Sequence, residues 1–94
     1  MNKGKISLFI PIYNEERVIT DHISKILNAM NKLNKDFEII IVDDSSSDNS
    51  QKICNGIIKK NKNVRYIRYN NGPSRRENLS LSFKKAEGNV LAFM

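Results

Sequence analysis

The chain is most tightly constrained by a repeated change of hydrophobic period. Ile6 to Ile10 and Phe37 to Val42 are short, almost wholly apolar runs, of the kind that form strands covered on both faces. Each is followed by a stretch in which apolar residues recur every three or four positions. From Asn14 onward these are Ile19, Ile23, Ile26, Met30 and Leu33, which predicts one amphipathic helix with Asn14 as its N-cap and Glu15 and Glu16 in its first turn. After the second run, Asp48 is placed to cap a helix carrying Ile53, Cys54, Ile57 and Ile58. Val64 to Tyr69 then reads as an outer strand. Asn70-Asn71-Gly72-Pro73 is turn chemistry, and Ser74 with Glu77 forms a capping-box signature. That signature opens a helix with Leu79, Phe83 and Ala86 inward and Gly88 as its stop, before a fourth strand from Asn89 to Met94.

The order β-α-β-α-β-α-β predicts an α/β fold, a Rossmann-like parallel sheet with helices on both faces. Ninety-four residues make a single small domain, 1–94, with no repeat, low-complexity segment or linker. No apolar run approaches the roughly 18 residues of a membrane-spanning helix. The N-terminus lacks the apolar stretch of a signal peptide, and the lone Cys54 allows no internal disulfide, so a cytoplasmic chain is expected. The net charge of +6 reads as a solvated surface in preference to a nucleic-acid face, with attraction to an anionic membrane as a further option.

In such a sheet, ligands bind beyond the C-terminal ends of the strands, near the point where strand order reverses. Three polar segments fall at those ends. In Pro11 to Glu16, the Tyr13 ring suits stacking on a base or ribose, and Glu15 suits hydroxyl or ring N–H donors. Turn chemistry alone favours an ordinary strand-to-helix turn with a cap. In Val42 to Asp48, adjacent carboxylates repel, so a nucleobase donor, a metal ion, backbone amides or a nearby Arg must compensate them. Alternation along a strand lets only one of Asp43 and Asp44 face a ligand, and Asp44 is the one expected to do so. The competing reading makes the segment a cap-and-turn cluster, with Asp43 on backbone amides and Asp48 on its helix. In Gly72 to Glu77, Arg75 and Arg76 stand against the helix dipole, which suits a docked anion or a solvated pair. His22, Cys54, Tyr66 and Tyr69 read as structural. Neither a Walker A sequence nor G-x-G-x-x-G is present.

Together the segments resemble glycosyltransferase family 2, of GT-A type, and the polyprenyl (dolichol) phosphate sugar transferases within it. Ile6 to Glu15 is similar to the family's opening strand and P-x-Y-N-E signature. Glu38 to Asp48 is similar to its V-D-D-x-S-x-D loop, and Ala86 to Met94 to the strand that leads into a metal-binding D-x-D. The resemblance implies that Pro11, Tyr13 and Glu15 contact the nucleoside of a UDP- or GDP-sugar, that Val42 and Asp44 flank the base, and that Arg75 meets the diphosphate. Ser45 stands where many members have Gly, and Ser74 to Asn78 departs from an A-R-N-x-G run. The implied parent reaction is an inverting transfer of sugar to a polyprenyl phosphate or a glycan, with the full-length parent at the inner face of a membrane as a further implication. Mg²⁺ or Mn²⁺ would be held by a D-x-D following Met94, so neither metal ligands nor catalytic residues are expected within these 94 residues. The chain is then expected to be the inactive, nucleotide-sugar-binding N-terminal portion of a transferase, able to self-associate through its last strand. The alternative is a non-catalytic nucleotide-binding or interaction module. Nucleic acid is not an expected partner.

Overall fold

The computed structural model describes residues 4–73 and 75–92, with their side chains except at 75, 76 and 90–92. The elements are β1 (Lys5–Ile12), α1 (Ile19–Asn31), β2 (Asp36–Asp44), α2 (Ser50–Lys60), β3 (Val64–Tyr69), α3 (Arg75–Ser82), a 3₁₀ turn (Phe83–Lys85) and β4 (Asn89–Ala92). The strands pair in parallel in the order β3-β2-β1-β4. Strand order therefore reverses beside β1, which grows first towards β2 and β3 and then, on its other side, towards β4.

Strand alternation divides the apolar residues into two layers. Leu8, Ile10, Ile12, Ile39, Ile41, Val64 and Tyr66 lie on one face under α1 and α2, against Ile19, Ile23, Ile26, Met30 and Cys54. On the other face Phe9, Ile40 and Val42 meet Ile67, Tyr69, Leu79, Phe83 and Ala86. The rings of Phe9 and Phe83 meet edge-on, with centroids 4.9 Å apart. Helices thus cover both faces, as the apolar composition of β1 and β2 requires.

Three local expectations are corrected. Helix α1 begins at Ile19, so Asn14 is not its cap and Glu15 and Glu16 lie outside its first turn. Asn14 instead takes a left-handed conformation (φ 51°) that turns its side chain towards a neighbouring loop. Leu33 is 53% exposed, because α1 stops at Asn31 and the chain turns away through Asn34 (φ 53°). Gly88 does not stop a helix, since the helical run closes at Lys85 and Ala86 is already extended. Its need for glycine is steric. A Cβ at Gly88 would stand 2.3 Å from the Lys5 carbonyl oxygen, where β4 closes onto β1. Ser74, and with it the predicted capping box, lies outside the described residues, as do Phe93 and Met94, which the sequence assigns to the last strand.

At the N-terminal edge of the sheet a buried polar group fastens the turn into β4. The Glu38 carboxylate accepts from the Ser7 hydroxyl (2.6 Å), the Glu87 amide (2.7 Å) and Arg65 (2.8 Å), and the Gly88 amide donates to Ser7 Oγ (2.9 Å). Burial alone would raise the Glu38 pKa, but the Ser7, Glu87 and Arg65 donors outweigh it and hold the carboxyl below its ordinary range.

Candidate functional site

All three polar segments lie at the C-terminal edge of the sheet, and side-chain bonds join them into one rim. Between the first two, Asn14 Oδ1 accepts from the amides of Ser47 (2.7 Å) and Asp48 (3.3 Å). In return the amides of Asn14, Glu15 and Glu16 donate to Ser46 Oγ (2.9 Å), Ser50 Oγ (3.0 Å) and Asp48 Oδ2 (3.2 Å). Asp48 Oδ1 also accepts from the Ser50 amide, the first residue of α2. Burial works against the Asp48 charge, yet the Ser50 hydroxyl and the Ser50 and Glu16 amides keep its pKa depressed.

The second and third segments are tied through Ser45 and Arg68. Ser45 is left-handed (φ 72°), a conformation that costs a non-glycine residue roughly 1–2 kcal/mol. Its hydroxyl donates to the Tyr69 carbonyl (2.8 Å) and accepts from the Gly72 amide (2.8 Å), bonds a glycine there would lack. Arg68 reaches the Ser46 carbonyl (2.9 Å) and Asn70 Oδ1 (2.8 Å), bracing both loops from β3.

The adjacent carboxylates are separated by the sheet, as alternation predicts. Asp43 lies under the α1–α2 layer, wholly buried, and accepts from the Ser46 amide (2.9 Å), the Tyr66 hydroxyl and Arg68 (3.2 Å). Its charge is thus compensated by a backbone amide and a nearby Arg, two of the means anticipated, together with a phenol. Burial, followed by the bond to Asp43, pushes the Tyr66 hydroxyl pKa upward. Asp44 lies on the opposite face, 1% exposed, and accepts from Asn78 Nδ2 of α3 (2.5 Å). The Asn78 side chain is fully buried, and its Oδ1 has no hydrogen-bond partner.

Residues 7–94 match the model described as Glycosyl transferase family 2. The chain belongs to glycosyltransferase family 2. An uncharacterized glycosyltransferase of Haemophilus influenzae is 35% identical to it over 96 residues, covering the whole of this chain and 36% of that protein. The undecaprenyl-phosphate 4-deoxy-4-formamido-L-arabinose transferase of Proteus mirabilis is 30% identical over 94% of this chain and 27% of its own length. Among solved structures, S. aureus TarS 1-349 in complex with UDP superposes with a TM-score of 0.69 at 29% identity, over 95% of this chain and 26% of that one. This family 2 chain therefore spans about a third or less of the length of the curated relatives it matches. Its four-stranded α/β sheet is the architecture of the GT-A glycosyltransferases.

Of the anticipated donor contacts, the structure brings Pro11, Val42 and Asp44 to one face and one end of the sheet. Pro11 is the register partner of Val42, and both are buried. Tyr13, 41% exposed, and the half-buried Glu15 stand on the rim just beyond β1. Arg75 opens α3, and its side chain lies outside the described residues. Sequence reasoning missed Arg68 and Asn78, while Tyr66 is the strand side chain it was read as, with its hydroxyl on Asp43. For Arg68 the signal was its even spacing with Val64 and Tyr66 in β3, which puts a cation among core positions. For Asn78 there was none, because the rotation of α3 decides where it points. Among the described residues no group of three or more His, Cys, Asp or Glu is arranged to hold a metal.

Proposed function

We propose that this chain binds the nucleotide part of an NDP-sugar at the rim formed by its first three βα loops, as a portion of an inverting sugar transferase. The observation that carries the reading is the convergence of Pro11, Val42 and Asp44 on one face at the end where strand order reverses, with Tyr13 and Glu15 beside them. In this reading the base lies against the Pro11 and Val42 side of the sheet and gives an N–H to the Asp44 carboxylate. Tyr13 covers the nucleoside, Glu15 takes a hydroxyl, and Arg75 with the first turn of α3 meets the diphosphate.

Because Asp44 is almost fully covered, a base reaches it only by displacing Asn78, exchanging one N–H donor for another. The complete enzyme would then pass the sugar to a lipid-linked phosphate or a glycan on the cytoplasmic side, with Mg²⁺ or Mn²⁺ supplied with ligands outside the described residues. The chain alone binds and does not transfer. UDP in the TarS complex and the undecaprenyl-phosphate named for the Proteus relative support the donor and acceptor classes.

The test is an NMR titration of the 94-residue chain with UDP and with GDP, with and without Mn²⁺. Saturating shifts at Tyr13, Glu15, Asp44 and Asn78 with one nucleotide are expected and identify its base. A folded spectrum unmoved by both nucleotides refutes the reading.

A further inference from the structure

All αβ turns of a parallel sheet lie at the N-terminal edge of its strands, so that edge forms a face of its own, opposite the rim. Most of the positive charge without a salt bridge among the described residues is gathered there. Lys32 and Lys35 flank the α1–β2 turn, Lys59, Lys60 and Lys62 lie at the end of α2 and just after it, and Lys84 and Lys85 close the 3₁₀ turn. All seven are exposed, and none makes an ion pair among the described residues. Of the acids at this edge, Glu38 is buried on Arg65 and Glu87 is paired with Lys5, which leaves Asp36 as the exposed counter-charge without a salt bridge. Helix dipoles account for Lys59 and Lys60, in the last turn of α2, but not for Lys35 or Lys62, which stand beyond the helices.

A second observation identifies the kind of partner. Leu33, 53% exposed, projects from the turn between Lys32 and Lys35. A polyanion in water needs only the lysines. An apolar side chain set between lysines in an exposed turn matches the interface of an anionic bilayer, where the cations meet headgroups and the leucine enters the acyl boundary.

We infer that the face made by the α1–β2, α2–β3 and α3–β4 turns docks on an anionic lipid bilayer, with Leu33 inserted. The nucleotide site lies at the opposite end of the strands, so a chain docked this way turns that site away from the bilayer, and the inference goes with the glycan acceptor and not with the lipid-linked phosphate.

The experiment is co-sedimentation of the 94-residue chain with vesicles of phosphatidylcholine alone or with about 30% phosphatidylglycerol, at 0.1 M salt, with folding of each variant checked by circular dichroism. Anionic vesicles are expected to bind it at least tenfold more tightly than neutral ones, since each lysine near such a surface contributes about fivefold. Leu33→Ser should weaken binding by about tenfold, and the double change Lys32→Glu, Lys35→Glu by more. The chain contains no Trp, so Leu33→Trp supplies a single reporter whose emission should shift to the blue on anionic vesicles. Absence of binding to anionic vesicles overturns the inference. So does an unmoved Trp emission, or equal binding to duplex DNA with Leu33→Ser without effect, which would mark a general polyanion surface.

Discussion

Adjacent aspartates at the end of β2 should fail in different ways when removed. In Asp43→Ala the Ser46 amide, the Tyr66 hydroxyl and the Arg68 guanidinium all lose their acceptor at a position with no solvent to replace it. Removing one partner of a buried ion pair costs about 3–5 kcal/mol. The lower figure applies, because the Arg68 side chain keeps 23% of its exposure and its bonds to Ser46 and Asn70. For a domain of this size about 3 kcal/mol lowers the melting temperature by roughly 12–24 °C. Asp44→Ala leaves the Asn78 amide without its acceptor, at a cost of about 1–2 kcal/mol. Thermal melts followed by circular dichroism at 222 nm compare the two. Nucleotide titration below the transition then separates their functions, with Asp43→Ala keeping affinity within about threefold and Asp44→Ala losing it. Equal melting temperatures, or the greater loss in Asp44→Ala, would refute the assignment of structure to one face and binding to the other.

Three further outcomes are expected. Gly88→Ala forces a Cβ against the Lys5 backbone and should cost about 2–3 kcal/mol, seen as lost hydrogen-exchange protection in β4; unchanged protection would contradict the close approach. The depressed Glu38 pKa contributes stability that is complete above the ordinary glutamate value near 4.3 and is lost as pH falls through the lower folded value, so Glu38→Gln should flatten the acid limb of a stability–pH profile. Asn78→Ala removes the donor that a base must displace, and nucleotide affinity should rise by about two- to tenfold in a calorimetric titration; a fall in affinity would make Asn78 a holder of Asp44 and not its competitor.

What was legible in the sequence was whatever depends on period. The bounds of β3, the buried stripe Ile19, Ile23, Ile26 and Met30, and the opposite facing of Asp43 and Asp44 all follow from counting residues. What was not legible depends on partners distant in the chain. The turn before α1 departs from helical geometry because Asn14 is held by amides 33 and 34 residues away. Leu33 continues the helical spacing, yet spacing carries no information about where a helix stops. Arg68 becomes the partner of Asp43 only once β2 and β3 pair in the register that aligns them. Ser45 shows the reverse case, where a residue standing in the place of the family's glycine keeps a glycine-like φ and adds two bonds across the rim.

The opposite facing of the two aspartates also limits how this chain can vary. Deleting or inserting one residue between Ile39 and Val42 would exchange the faces of every side chain beyond the change, sending the carboxylate that holds Arg68 to the α3 side, where the nucleotide is proposed to bind, and the other beneath α2. Such a length change offends no local preference and leaves the composition almost untouched, yet it inverts the two roles at once. The length of β2 should therefore be among the least variable quantities in related chains, less variable than the identity of its apolar residues. Any tolerated change of length should come in twos or fall in the turns at the basic edge.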